Sequence, residues 1–271
     1  MILLSEIAEK LATELARANV LAIGLDYDGT LTHIRPTPAE AVPTAEARHV
    51  LRKLRAAERI ELLLITGRSP KDLAAIIGIE DIEIVGNHGL SRLCGGNLTH
   101  HQDAKAFFEI KDAVKSHLEE ILDSIGCLRL EDKGPGLAIH YRQCPEERHS
   151  VVRRMLVSEC MNLSESLAVT VREGKKVVEL VPHTEVNKGT TMIDWVSGLR
   201  RNQAGKHIGI VFAGDDITDE NVFSSADDDW VTIQVGEPDG WDSTAKYLAS
   251  RPDELIWFLY LLLQRLSTDE N

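Results

Sequence analysis

A chain of 271 residues is long enough for one large domain or for a core domain with a smaller companion, and 43% hydrophobic with 27% charged residues is ordinary globular composition. A formal net charge of −13 without a basic patch argues against nucleic acid or an anionic membrane as partner, yet permits a small phosphorylated substrate where a metal and a few basic groups reverse the local potential. The four scattered cysteines, Cys94, Cys127, Cys144 and Cys160, form no Cys-x-x-Cys pair; the expectation is reduced thiols in a cytoplasmic protein.

Met1 to Lys10 lacks the basic segment and apolar core of a secretory leader and has the spacing of an amphipathic helix. Val20 to Leu25 is a short apolar run of the kind that fills a buried strand, and it leads directly into Asp26-Tyr27-Asp28-Gly29-Thr30. Pro36, Pro38 and Pro43 then mark a loop, followed by an expected helix from Thr44 to Ala57. Arg59 to Ile65 predicts a second buried strand, ending in Thr66-Gly67-Arg68-Ser69-Pro70 at the start of another helix. A third strand, Ile82 to Val85, ends in Gly86-Asn87-His88-Gly89. Apolar runs that alternate with helices and end in polar turns predict an α/β, doubly wound parallel sheet.

The pattern changes near Gln102. A helix over Asp103 to Leu122, strands over Cys127 to Glu131 and Leu137 to Tyr141, a helix over Pro145 to Cys160, and strands over Ala168 to Arg172 and Lys176 to Val181 around Glu173-Gly174-Lys175 describe an inserted α+β domain. The expected division is 1–102 with 183–271 for the core and 103–182 for the insertion. Alternation resumes with a helix over Lys188 to Leu199 and a strand over Ile208 to Ala213, which runs into Gly214-Asp215-Asp216-Ile217-Thr218-Asp219-Glu220. Trp230 to Val235 is the last expected strand and Pro252 to Leu266 the closing helix. Its apolar stretch Leu255 to Leu263 is too short for a bilayer, which needs about 20 such residues. Trp195, Trp241, Trp257 and Tyr247 are expected in the core, and His100 and His101 as surface or packing residues.

Asp26 and Asp28, Thr66, Lys188, and Asp215, Asp216 and Asp219 all fall at strand ends or helix starts of one sheet, where open α/β sheets bind ligands. Clustered carboxylates repel one another unless a hard cation such as Mg²⁺ joins them, and a carboxylate can also attack phosphorus. Asp28 is placed to act as acid and base, while Thr66 and Lys188 would hold phosphoryl oxygens. Each motif alone has a plainer reading: Asp-x-Asp as a capped turn, Thr66-Gly67-Arg68 as an ordinary strand-to-helix turn, Lys188 as a solvated first-turn lysine, and the acidic run as a helix start favoured by the dipole. Four of them in register at strand tips favour catalysis.

In this order the four motifs resemble those of the haloacid-dehalogenase (HAD) superfamily of phosphohydrolases. Gly214-Asp-Asp-Ile-Thr-Asp-Glu220, together with Lys133-Gly-x-x-Leu-Ala-Ile-His-Tyr-Arg142 and with Arg172, Gly174 and Glu179, is similar to trehalose-6-phosphate phosphatases. The resemblance implies a Rossmann-like HAD core with an inserted α+β cap of type C2, and an Mg²⁺-dependent phosphoric monoester hydrolase that forms an aspartyl-phosphate on trehalose 6-phosphate. It makes Asp26 the nucleophile and Asp28 the acid and base. The metal falls to Asp26, Asp28 and Asp215, with Asp216 or Asp219 completing the shell. It assigns substrate contacts to Gly67, Arg68, Asn87, His88, Lys133, His140, Arg142, Arg172, Lys176 and Glu179, and it implies functional pairing with a trehalose-phosphate synthase. The alternatives are a phosphatase for another osmolyte precursor (glucosylglycerol phosphate, sucrose phosphate or mannosylphosphoglycerate), a phosphosugar mutase, or a sugar-phosphate-binding module without turnover.

Overall fold

The computed structural model describes residues 1–35, 37–167, 169–174, 176–238 and 240–268. Pro36 of the expected loop, Ala168 of the expected strand and Lys175 of the expected turn lie outside them. From the amino end, β1 (Ile2–Leu3) and α1 (Leu4–Ala16) precede β2 (Val20–Leu25). Next comes α2 (Ala45–Ala56), which begins where the Thr44 hydroxyl accepts a hydrogen bond from Ala47 N at 3.1 Å. Then come β3 (Ile60–Ile65), α3 (Pro70–Ile77, with proline in its first turn) and β4 (Glu83–Gly86).

Two strands without a counterpart in the sequence reading, β5 (Ser91–Cys94) and β6 (Asn97–His100), follow about the Gly95-Gly96 turn. The chain continues through α4 (Gln102–Ile125), β7 (Arg129–Asp132), β8 (Leu137–His140), α5 (His149–Ser166), β9 (Val169–Gly174) and β10 (Val177–Pro182). It ends with α6 (Lys188–Asn202), β11 (Ile208–Gly214), α7 (Glu220–Phe223), β12 (Val231–Val235), β13 (Tyr247–Ala249) and α8 (Pro252–Thr268). The expected start of α5 at Pro145 moves to His149 because Glu146–Arg148 form a 3₁₀ turn first.

The chain divides into two compact units, 1–98 with 186–271 and 99–185. In the first, the strand order is β1-β13-β12-β11-β2-β3-β4-β5-β6. The pairs from β1 through β4 are parallel, and β5 runs antiparallel to β4. Both faces are covered, and the strand residues divide between them with a period of two. Leu21, Ile23 and Leu25 of β2, with Leu62 and Leu64 of β3, join the core that takes in α1, α2, α3 and α8. Val20 and Ala22, with Leu63 and Ile65, join the core under α6.

From β2 the chain moves outward to β3 and β4 on one side, and after the second unit it returns at β11 and moves out through β12 and β13 on the other. The β2–β11 boundary is therefore the topological switch point. Its crevice opens at the carboxyl ends of these two strands, where Leu25 is in register with Ala213.

In the second unit β7-β8-β10-β9 form an antiparallel sheet. Val178 and Leu180 of β10 face a core with residues of α4 and α5, while Val177, Glu179 and Val181 alternate to the other face.

Two expectations are corrected. Cys127 and Cys144 are joined in a disulfide, so only Cys94 and Cys160 are free thiols. The pairing is one of tertiary proximity, with Cα atoms 5.0 Å apart at the two ends of the β7–β8 hairpin. Trp257, expected in the core, is 46% exposed; Leu255, Ile256, Phe258, Leu259 and Leu262 take the inward face of α8, which leaves Trp257 and Tyr260 outside. Trp195 is buried as expected. Among the described residues no helix is long and apolar enough to cross a membrane.

Candidate active site

At the switch point β2 delivers Asp26, which is 4% exposed and whose backbone N–H donates to the Ala213 carbonyl at 2.9 Å. The chain then turns at Gly29, with φ of 80°; a Cβ there would stand 1.9 Å from Asp215 Oδ2, so any side chain would displace the facing carboxylate. Beside it the Thr30 hydroxyl donates to Asp215 Oδ1 at 3.3 Å.

Lys188, the first residue of α6, is 3% exposed. The capping box of Asn187 and Thr190 starts the helix at this point, and Lys188 Nζ donates to Asp26 Oδ1 at 3.0 Å and to Asp219 Oδ1 at 2.7 Å, with Asp216 Oδ1 at 3.7 Å. Burial works against the ammonium, but the carboxylates of Asp26, Asp219 and Asp216 outweigh it and hold Lys188 charged well above the ordinary lysine range.

The three acids after β11 take different positions. Asp219 is fully buried, and both its oxygens are committed: Oδ1 to Lys188, and Oδ2 to the backbone N–H groups of Asp215 at 3.0 Å and Asp216 at 3.1 Å. It shapes the loop. Asp216 accepts from Thr218 N at 2.8 Å and from the Thr218 hydroxyl at 2.6 Å; burial raises its carboxyl, but Lys188 and these hydrogen bonds more than offset that and hold it below the usual range. Asp215 is pushed up to about 9 by burial first and then by the nearby charges of Asp26, Asp219 and Asp216. Burial likewise raises Asp26, against the pull of Lys188.

Carboxylate oxygens of Asp26, Asp215 and Asp219 lie within 4.8 Å of one another. Such an all-oxygen donor set, under strong mutual repulsion, suits a hard divalent cation. With Asp219 committed, Asp26 and Asp215 are the carboxylates of this trio able to take one.

Asp28 turns the other way. Arg68 Nε donates to its Oδ2 at 2.6 Å and Nη2 to its Oδ1 at 2.5 Å, and the guanidinium stacks on the buried Tyr27 ring. Thr66, at the end of β3, is buried, and its hydroxyl accepts from Arg68 N at 3.1 Å. The His88 imidazole lies against Gly67, where a Cβ would come within 2.8 Å of it. Asn87 and His88 hold left-handed φ values of 52° and 55°, and Asn87 Nδ2 donates to Ser91 Oγ at 3.0 Å.

The first unit thus gathers Asp26, Asp28, Thr66, Gly67, Arg68, Asn87, His88, Lys188, Asp215 and Asp216 around the carboxyl ends of its strands. Lys133, His140, Arg142, Arg172, Lys176 and Glu179 belong to the second unit. There Arg172 pairs in register with Glu179, Lys133 Nζ donates to Glu179 Oε1 at 2.5 Å, and His140 Nε2 lies 2.6 Å from Glu131 Oε2. Arg142 is exposed just beyond β8, and Lys176 holds a left-handed φ of 65° in the β9–β10 turn. Sequence reasoning missed Thr30, which its place in the Asp26–Thr30 motif signalled, and Gln234, whose Nε2 donates to the Asp215 carbonyl at 2.9 Å.

Residues 24–253 match the family model described as trehalose-phosphatase. The chain belongs to the trehalose-phosphatase family. It is 31% identical over 251 residues to the trehalose-phosphate phosphatase of Mycobacterium ulcerans, covering 91% of this chain and 62% of that protein. To the Mycobacterium avium protein of the same name it is 32% identical over 206 residues, covering 75% of this chain and 51% of that one. The chain therefore spans between half and two thirds of the length of these curated relatives.

Among solved structures, a trehalose-6-phosphate phosphatase related protein superposes with a TM-score of 0.73 at 26% identity, covering 92% of this chain and all of that one. A haloacid dehalogenase-like hydrolase from Bacteroides thetaiotaomicron shares the fold, with a TM-score of 0.61 at 15% identity over 89% of this chain and 98% of that one. The family match over residues 24–253 spans all four motifs at the strand tips.

Proposed function

We propose that this chain is an Mg²⁺-dependent phosphatase that hydrolyses trehalose 6-phosphate to trehalose and phosphate through an aspartyl-phosphate on Asp26. The observation that carries the reading is the state of Asp26: buried at the switch point, one oxygen held by Lys188 at 3.0 Å, with the Asp215 carboxylate beside it. Membership of the trehalose-phosphatase family supports the sugar.

Asp26 and Asp215, with the main-chain carbonyl of Asp28, would hold the cation, and Asp216 would reach it through water. A cation held there would neutralise the carboxylate cluster and charge on the phosphoryl oxygens. The Asp26 carboxylate attacks phosphorus, the bond to the sugar oxygen breaks, and Asp28 gives that oxygen its proton. In the second half Asp28 takes a proton from water, whose oxygen attacks phosphorus, and the bond to Asp26 breaks to release phosphate and restore the carboxylate. The Thr66 hydroxyl donates to a phosphoryl oxygen, and the Lys188 ammonium offsets developing charge. Arg68 binds the incoming phosphate with Gly67, Asn87 and His88, and in doing so releases Asp28 for proton transfer.

Residues 99–185 would serve as the cap, with sugar hydroxyl contacts from Lys133, His140, Arg142, Arg172, Lys176 and Glu179. A disaccharide phosphate is made by glycosyl transfer onto a sugar phosphate, so the chain would work downstream of a trehalose-phosphate synthase. We place the reaction in the cytoplasm, where sugar phosphates are made; there the Cys127–Cys144 bond would face reducing thiols.

The test is a panel of sugar phosphates with Mg²⁺ and with chelator. Phosphate release from trehalose 6-phosphate should exceed that from sucrose, glucosylglycerol and glucose phosphates by about tenfold or more, and should stop in chelator. A flat panel would refute the sugar, isomerised product without free phosphate would show a mutase, and binding without turnover a module that only binds.

A further inference from the structure

Gln234 is fully buried in β12, in register with Gly214 of β11, and with Thr232 is one of two polar residues in a strand whose Val231, Ile233 and Val235 face the core under α8. Its Nε2 lies 2.9 Å from the carbonyl oxygen of Asp215 and 3.2 Å from that of Val235. Both partners accept, so the nitrogen end of the amide must face them. The other end, Oε1, is buried without a hydrogen-bond partner among the described residues. A methionine or leucine would fill this space without stranding an oxygen, so the use of the side chain lies in its donor end.

Asp215 sits one residue beyond β11, where the sheet ladder no longer holds the backbone. Three contacts replace the ladder: Asp219 accepts its N–H at 3.0 Å, Thr30 donates to its carboxylate at 3.3 Å, and Gln234 donates to its carbonyl. The first two come from residues that belong to the acidic cluster or its turn, whereas Gln234 reaches in from the neighbouring strand.

We propose that Gln234 is a positioning residue for the cation site: by tethering the Asp215 carbonyl to β12 it sets where the Asp215 carboxylate meets a divalent ion. The inference rests on the metal reading above. Partners that orient metal ligands from outside the coordination shell typically change metal affinity by 10–100-fold when removed, and a single tether among three belongs at the low end, about tenfold.

The experiment is calorimetric titration of Mg²⁺ into the purified chain and into Gln234→Met, beside the Mg²⁺ dependence of phosphate release. The Met variant should bind Mg²⁺ about tenfold more weakly and need correspondingly more for half-activation, with the substrate KM at saturating Mg²⁺ unchanged. A Kd within about twofold of wild type in a folded variant overturns the proposal. Wild-type protein that binds no Mg²⁺ overturns instead the reading on which the proposal rests. Gln234→Leu stands in if Gln234→Met does not fold; failure of both to fold would assign the side chain to sheet stability and overturn the proposal.

Discussion

Arg68 holds Asp28 by both carboxylate oxygens, at 2.6 and 2.5 Å, while its guanidinium carbon lies 5.3 Å from the centre of the Tyr27 ring. The residue assigned to proton transfer is thus pinned by a planar fork that itself rests on the side chain between the two aspartates. A lysine has the charge but neither the fork nor the stacking plane. Arg68→Lys should therefore lower kcat/KM by about tenfold and Arg68→Ala by about a hundredfold or more. Steady-state kinetics checks this, and a fully active lysine variant would show that charge alone suffices.

Lys188 is enclosed by carboxylates, at 3.0 Å from Asp26 and 2.7 Å from Asp219, and almost no solvent reaches it. Lys188→Met keeps the volume and leaves those buried charges uncompensated, a loss of roughly 3–5 kcal/mol in comparable buried pairs. The variant should melt at least several degrees below wild type in metal-free buffer and show negligible turnover. Differential scanning calorimetry decides; an unshifted melting temperature would mean that Lys188 is not holding the cluster together.

How much of this was legible beforehand depended on length and burial. Val20 to Leu25 is buried on both faces, so an unbroken apolar run announced β2 and the aspartates after it. Lys188 was legible because it opens the helix after Asn187, a start that the Asn187–Thr190 capping box fixes in the structure. By contrast β1 and β13 have two and three residues, too few for any period to register, and form because a neighbouring strand is there to pair with. The three aspartates of the Gly214–Glu220 run look equivalent as letters. Only the folded loop separates them, turning Asp219 inward to complete burial while the Asp216 side chain stays 53% exposed. Gln234 was visible, with Thr232, as a polar residue in a strand of valines and isoleucine, but what its amide faces is a property of the β11–β12 register. The Cys127–Cys144 pairing, 17 residues apart, likewise depends on how the intervening hairpin closes.

Asp215 makes the account depend on pH. Its carboxyl rises from the ordinary 3.8 to about 9 through burial and then through the charges of Asp26, Asp219 and Asp216. A raised acid favours the folded state while it is protonated; that contribution is fully present below the unfolded value and is lost as pH climbs toward 9. A divalent cation relieves the same repulsion. At one fixed Mg²⁺ concentration, roughly a hundredfold above the Kd at pH 8, Mg²⁺ should therefore raise the melting temperature by about several degrees more at pH 8 than at pH 5.5. Thermal melts at both pH values test it, and an equal shift at both would contradict the charge-cluster description.

The cysteines should sort into three classes. Cys94 is exposed and should react with a thiol reagent at once, whereas Cys160 is fully buried, its thiol pushed up to about 12 by burial and then by Glu159. Under native conditions at pH 8 one thiol should titrate fast, a second only on unfolding, and Cys127 and Cys144 only after reductant. Four fast thiols without reductant would restore the expectation that all are reduced.

The central claim is that the Asp26 carboxylate attacks the phosphorus of trehalose 6-phosphate. The most direct measurement is phosphate release from that substrate in Mg²⁺ by wild type and by Asp26→Asn, with circular dichroism to confirm that both are folded. The account predicts steady turnover by wild type and less than about a thousandth of it from Asp26→Asn. A folded Asp26→Asn enzyme that keeps more than about a tenth of wild-type activity would contradict it.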